Sequence, residues 1–79
     1  MKYSKRKLTL HQRFDAIDDF RGLSYAAVIN RIGLRAGATI FKNDGSAARI
    51  WSDDAYSIML LFDRDDICLG VQEETLRQQ

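Results

Sequence analysis

The chain has 79 residues, of which 46% are hydrophobic and 29% are charged, and its formal net charge is +1. Length and composition predict one globular domain, and the small net charge argues against a protein that works by neutralising nucleic-acid phosphates. A single cysteine and a single histidine exclude an internal disulfide and a zinc site of the Cys/His type, and we expect no cofactor.

The chain begins with a basic segment, MKYSKRKL, which we expect to be a flexible tail at residues 1–8. No apolar stretch follows its basic residues, as a secretory signal would require. No run approaches the roughly 18 apolar residues that cross a bilayer. We therefore expect no membrane insertion and a cytoplasmic location for the chain, with the cell envelope as the alternative if a signal has been removed.

A first helix is predicted after the tail. Thr9 and Gln12 match a capping box, in which each side chain accepts a hydrogen bond from a free backbone N–H. Apolar residues then recur from Leu10 at the spacing i, i+4, i+7, which is one face of a helix. We expect this helix at about residues 10–19. Three aspartates in its second half oppose the helix dipole and favour early fraying.

The stretch FRGLSYAAVINRIG has glycines near both ends and predicts a second helix rather than a phosphate-binding loop. Gly22 ends the preceding segment, Ser24 is a typical N-cap, and Gly33 stands where a left-handed residue closes a helix. The spacing of a nucleotide-binding glycine motif is missing. We expect this helix at about residues 25–32.

Beyond residue 33 the hydrophobic period changes from 3.6 to 2, which predicts strands. The turn NDGS (43–46) is a strong hairpin signal, and the other connections are also short. The sequence therefore predicts an α+β fold of order ααββββ at residues 9–76, with two helices on one face of an antiparallel meander. The predicted strands are ATIFK (38–42), AARIW (47–51), YSIMLLFD (56–63) and ICLGVQEE (67–74).

Alternation on the last two strands assigns one face to the core and leaves an apolar face opposite it. The residues expected in the core are Ile58, Leu60, Phe62, Ile67, Leu69 and Val71. The opposite face carries Met59 and Leu61, with Cys68 beside them. An antiparallel sheet covered on one side should present polar residues on the other, so this apolar face is a candidate contact surface.

Trp51 and Tyr56 flank the second predicted hairpin and join Met59, Leu61 and Cys68 as candidate protein-binding residues. Trp51 can be a core anchor or an exposed binding residue. A register change of one residue would exchange these two positions. Alternation alone leaves both alternatives open.

The order of these features resembles the small α-α-β-meander domain of the BamE (SmpA/OmlA) lipoproteins, which the β-lactamase inhibitory proteins contain twice in tandem. The resemblance covers about residues 10–75, with Leu23 and Ser24 where the family has methionine and threonine. The segments that carry it are FDAI (14–17), GLSYAAVINRIG (22–33), RIW (49–51) and IMLLFD (58–63).

The resemblance implies the same fold and a role in binding other proteins as an inhibitor or assembly factor, without enzymatic activity. It also implies that Trp51 faces the core. The lipid-anchored members carry a cysteine near the N-terminus and the inhibitory proteins carry disulfides, and this sequence has neither feature. The shared positions are structural, so the resemblance implies no particular binding residues.

We therefore expect a protein-binding module whose partner is another protein or a second copy of the chain. Two alternatives remain open at this point: a nucleic-acid-associated regulator that uses the basic tail, and an immunity or anti-defence protein of a mobile element. His11 and Cys68 could in principle form a base and nucleophile, but such a pair needs a third orienting group. Aspartate clusters could form an acidic rim that steers a basic partner.

Overall fold

The computed structural model describes residues 8–77, which form two short helices followed by a four-stranded antiparallel sheet. The predicted α+β class and the order of helices before strands are confirmed. The expected tail at residues 1–8 lies outside the described residues except for Leu8. The elements are α1 (Leu10–Asp15), α2 (Tyr25–Ile32), β1 (Ala38–Phe41), β2 (Ala47–Ser52), β3 (Tyr56–Phe62) and β4 (Cys68–Leu76).

Helix α1 begins as predicted but ends four residues early. The capping box is formed, because the Gln12 N–H donates to Thr9 Oγ1 at 3.1 Å and the Thr9 N–H donates to Gln12 Oε1 at 2.9 Å. The helix ends at Asp15, and the backbone then bends so that Phe20 enters the core with 8% of its surface exposed. Acidic residues beyond Asp15 would face the negative end of the helix dipole, which explains the early end.

Helix α2 has the bounds that its capping residues predict. Ser24 Oγ accepts a hydrogen bond from the Ala27 N–H at 3.0 Å, and Gly33 closes the helix with φ of 88°. Only glycine adopts this left-handed conformation without strain. The glycines around α2 are therefore explained by helix ends.

The strands pair in sequence order, β1-β2-β3-β4, so β1 and β4 are the edges. Directly paired residues of an antiparallel sheet lie on the same face, which makes the register informative. Trp51 pairs with Ile58, and Arg49 pairs with Leu60. These residues lie on the inner face, which carries the core, and their neighbours along each strand lie on the outer face.

The core lies between the inner face and the apolar sides of both helices. Phe14 packs its ring edge-on against Trp51, with ring centroids 5.2 Å apart. Val28 of α2 is completely buried. The predicted core positions of β3 are confirmed, since Ile58, Leu60 and Phe62 are each at most 1% exposed.

The predicted burial of β4 is wrong, although Val71 pairs with Leu60 and so lies on the predicted inner face. Leu69 is 50% exposed and Val71 is 46% exposed, whereas Cys68 is buried. The cause is a pair of irregularities in the β3–β4 register, between Met59 and Leu60 and between Leu61 and Phe62. Each adds one residue to β4 and interrupts the alternation of faces. Simple period-2 reasoning therefore fails on this strand.

Arg49 is a charged residue that lies unexpectedly on the inner face, which carries the core. Its guanidinium carbon lies 3.8 Å from the centre of the Tyr25 ring, and Nη2 donates to Asp66 Oδ1 at 2.9 Å. The Arg49 side chain is only 12% exposed. Stacking and the ion pair make this burial tolerable, and the arginine closes the end of the core near the β3–β4 turn.

Candidate protein-binding surfaces

The face of the sheet opposite the helices is apolar at its centre. Cross-strand pairing aligns Ile50 with Met59 and aligns Ala48 with both Ile40 and Leu61. We call these five side chains the outer apolar face. They span β1, β2 and β3 as two adjacent rows, so the predicted apolar positions Met59 and Leu61 belong to a larger continuous surface.

The side chains of the outer apolar face pack against one another but remain partly exposed to solvent. Ile40 is 51% exposed, whereas Ala48 at the centre is 2% exposed. Ile50, Met59 and Leu61 are half-buried by one another. In residues 8–77 both helices contribute to the core on the other side of the sheet. The outer apolar face therefore departs from the usual polar exterior of a two-layer fold.

Polar residues surround this surface on the same face. Glu73 pairs with Met59 and extends its row onto β4, while Ser57 pairs with Ser52 and with Thr75. An apolar centre with a polar periphery is the usual arrangement of a protein contact surface. The geometry offers contact area and contains no arrangement of reactive groups.

Two aromatic residues proposed for binding are core residues instead. Trp51 is 2% exposed and its Nε1–H donates to the Leu34 carbonyl at 2.9 Å. The inward orientation implied by the family resemblance is thus observed. Tyr56 is 1% exposed, and its hydroxyl donates to Glu74 Oε2 at 2.5 Å. Neither side chain can contact a partner unless the core unfolds, so the prediction that Trp51 and Tyr56 bind a partner is wrong.

Cys68 is also a core residue, and its expected place on the outer face is wrong. Its side chain is paired with Phe62 across the strands and is 1% exposed. Burial raises the pKa of the Cys68 thiol, which disfavours the thiolate needed for nucleophilic chemistry. His11 stacks on Tyr56 with ring centroids 4.7 Å apart. These contacts account for both residues as packing groups.

Many of the aspartates organise turns. Asp63 Oδ1 accepts hydrogen bonds from the backbone of Asp65 and Ile67, and Asp53 Oδ1 accepts them from Ala55 and Tyr56. Such turns are typical of aspartate side chains. Within residues 8–77 no three metal-binding side chains come together in a group that could hold an ion.

A second concave feature lies between β4 and the segment that joins α1 to α2. This cleft has a volume of about 280 Å³, and we call it the β4 cleft. The α1–α2 segment and β4 each contribute both apolar and charged residues to its lining. The apolar and glycine lining consists of Phe14, Ile17, Phe20, Gly70 and Val71. The charged lining consists of Asp15, Asp18, Asp19, Arg21 and Glu74.

One carboxylate of the β4 cleft already forms an ion pair within residues 8–77. Asp19 forms an ion pair with Arg21 at 2.9 Å, and hydrogen bonds from Arg21 lower the pKa of Asp19 to about 2. Asp15 and Asp18 are exposed, and their carboxylates make no hydrogen bond or ion pair with residues 8–77. The sequence shows that these aspartates are close together in the chain. Their position next to β4 depends on the early end of α1, which the sequence did not predict.

Phe41 is a surface feature that sequence reasoning missed. It is 75% exposed at the edge strand β1. Its pairing with Ala47 places it on the inner face, opposite to its neighbour Ile40. The sequence predicted Phe41 only as part of a strand, and the position of β1 at the sheet edge leaves most of its ring exposed. An apolar edge of this kind is a site of association between chains.

No helix in the described part of the chain is long and apolar enough to cross a membrane. The basic segment proposed for nucleic-acid contact falls almost entirely outside that part, so the alternative stays a prediction. Comparison of the sequence and structure with protein-family models, curated proteins and solved structures found no match. The resemblance to the BamE lipoproteins accordingly remains an expectation from the residues.

Proposed function

We propose that the chain is a small non-enzymatic protein-binding module and that the outer apolar face is its contact surface. The observation that supports this function is that the apolar side chains of that face form two adjacent cross-strand rows over β1, β2 and β3. Ile40 is half exposed, and the helices do not cover Met59 or Leu61. Binding removes them from water and supplies stability in proportion to the apolar area buried.

The partner that fits this surface is a second copy of the chain. The central side chains carry no charge, so two copies can meet without burying an unpaired ion. Small domains without disulfides or metals commonly gain stability from association. Two sheets packed face to face lie about 10 Å apart and interdigitate their side chains.

The size of the surface sets the strength of this dimer. Three strands spaced about 4.8 Å apart give an apolar area well below the roughly 800 Å² that each partner buries in a standard interface. We therefore expect a weak, concentration-dependent dimer rather than an obligate one. Trp51 and Tyr56, which are of the aromatic types that anchor strong interfaces, are buried in this core.

Sedimentation equilibrium between about 10 µM and 1 mM tests the proposal over the range of weak interfaces. The unmodified chain should shift toward dimer, and Leu61→Lys should remain monomeric because the charge would be buried in the interface. Ser57→Lys is the matched control, since it adds the same charge to the same face of the same strand outside the apolar rows. A monomer at every concentration, or equal effects of the two substitutions, would contradict the proposal.

A further inference from the structure

The β4 cleft has chemistry different from that of the outer apolar face. Four carboxylates and one guanidinium line it, which gives a local net charge of −4 + 1 = −3. The inner wall is apolar, with Phe14 and Phe20 buried and Val71 46% exposed. A long side chain with an apolar stem and a positive end matches both surfaces, because the stem can lie on the wall while the charge meets the rim.

The β4 cleft is small enough for a single long side chain to fill it. At about 280 Å³ it lies just below the range of typical small-molecule pockets, which begins near 300 Å³. Gly70, Val71 and Glu74 of the edge strand β4 form part of its lining. An occupant that belongs to a chain can therefore contact the sheet edge as well as the cleft.

The edge of β4 beside the cleft already accepts an extended segment within the same molecule. The Gly22 N–H donates to the Cys68 carbonyl at 2.9 Å, and the Cys68 N–H donates to the Leu23 carbonyl at 2.7 Å. This pairing stops near Gly70, where the stem of Arg21 lies over the backbone. From there to Leu76, β4 is a sheet edge without a further strand in residues 8–77.

The carboxylates of the rim are arranged so that they can bind a positively charged group. The Tyr56 hydroxyl holds Glu74 in place from inside the core. Asp15 and Asp18 are exposed carboxylates without an ion-pair partner in the described part of the chain. Only Asp19 is neutralised locally, by Arg21. Arg21 itself can swing away, since its side chain is 71% exposed.

We propose that the β4 cleft binds an extended basic segment of a partner protein, which adds a strand to the edge of β4 and places a lysine or arginine side chain between Asp15, Asp18 and Glu74. Backbone hydrogen bonds to the sheet edge would supply affinity, and the acidic cleft would select the side chain. This is the strand-addition form of peptide recognition. The surface is separate from the outer apolar face, so the two can be occupied at once.

The test uses the full chain labelled with ¹⁵N and a capped five-residue peptide that alternates valine and arginine. Amide resonances of residues 70–74 should shift on titration. The same peptide with citrulline in place of arginine is the ligand control, because citrulline keeps the shape and loses the charge. We expect the citrulline peptide to bind at least several-fold more weakly.

A pair of protein variants separates the cleft from general charge attraction. Asp15→Asn with Asp18→Asn should weaken binding about fivefold, from the usual strength of exposed ion pairs. Asp54→Asn with Asp65→Asn removes the same charge from turns outside the cleft and should leave binding unchanged. Equal weakening by both pairs would overturn the proposal, as would resonance shifts confined to the outer apolar face.

The chain's own basic segment supplies the remaining comparison. A variant lacking residues 1–7 should bind the arginine peptide as the full chain does. If the peptide binds only after this deletion, the occupant of the β4 cleft is the chain itself, and the assignment to a partner protein is wrong. The outcome is independent of dimer formation, because the outer apolar face is intact in every variant used.

Discussion

Leu60 and Leu61 are adjacent residues of the same type on opposite faces of β3, and truncation of each should have very different consequences. Leu60 is completely buried beneath the helices, whereas Leu61 is half-buried on the outer apolar face. The substitutions Leu60→Ala and Leu61→Ala remove the same three carbon atoms. Any difference between them reports which face carries the core.

The structure sets the expected magnitudes. Truncation of a fully buried leucine loses the transfer free energy of the removed atoms and leaves a cavity, at a cost of about 2–5 kcal/mol. The Leu61 side chain faces an open surface, so no closed cavity forms and part of its area was already in water. About 1 kcal/mol is expected there. A domain of this size has roughly 3–5 kcal/mol of net stability, so Leu60→Ala should remove a large part of it and Leu61→Ala only a small part.

Urea denaturation followed by circular dichroism measures both effects, with unfolding midpoints compared at a common slope. Measurements at low micromolar concentration keep the weak dimer dissociated, so that Leu61 is judged in the monomer. Equal destabilisation by the two substitutions, or a larger effect at Leu61, would refute the assignment of faces.

Two further predictions concern groups that were expected on the surface and lie in the core. Burial, together with the hydrogen bond to Glu74, raises the pKa of the Tyr56 hydroxyl above its ordinary value of 10.0. The neutral form is therefore favoured by folding, and this contribution is complete below pH 10 and lost at higher pH. Tyr56→Phe should make the alkaline fall in the free energy of unfolding shallower, and an unchanged fall would contradict the burial of this hydroxyl. Cys68 should react with a thiol reagent only at the rate of opening or unfolding, because it is 1% exposed and burial raises its pKa. Reaction in native buffer as fast as in urea would show that the thiol lies at the surface.

Local signals in the sequence predicted the helices and turns well. The capping box at Thr9 and the pair Ser24 and Gly33 act within a few residues, so they can be recognised without the tertiary structure. The turn at residues 43–46 is equally local, with Asp44 accepting a hydrogen bond from the Ser46 N–H at 2.9 Å. The end of α1 was less predictable, since Phe20 leaves the helical direction to reach the core.

Face assignment depended on whether the alternation of a strand continued without interruption. It did on β3, and Met59 and Leu61 were correctly placed opposite Leu60. It failed on β4, where a bulge at Leu69 places Cys68 on the inner face. Val71 keeps the predicted face, since it pairs with Leu60, but it is 46% exposed on the edge strand. The sequence signal of an irregular backbone there is Gly70, whose φ in the structure is 133°. A glycine inside a strand indicates such a bulge only in general terms.

The β4 cleft could not have been found from the sequence. Its aspartates are close to one another in the chain, but Glu74 is far from them and meets them only through packing of the α1–α2 segment against β4. The outer apolar face was predictable in part, since Met59 and Leu61 share one strand. Its extension to Ile40 required the cross-strand register.

The central claim, that two copies meet through the outer apolar face, is tested most directly by isotope-filtered NMR on an equal mixture of ¹³C-labelled and unlabelled chain near 1 mM. We predict intermolecular nuclear Overhauser contacts among the methyl groups of Ile50, Met59 and Leu61. Intermolecular contacts confined to other surfaces, or none in a sample that sedimentation shows to be monomeric, would contradict it.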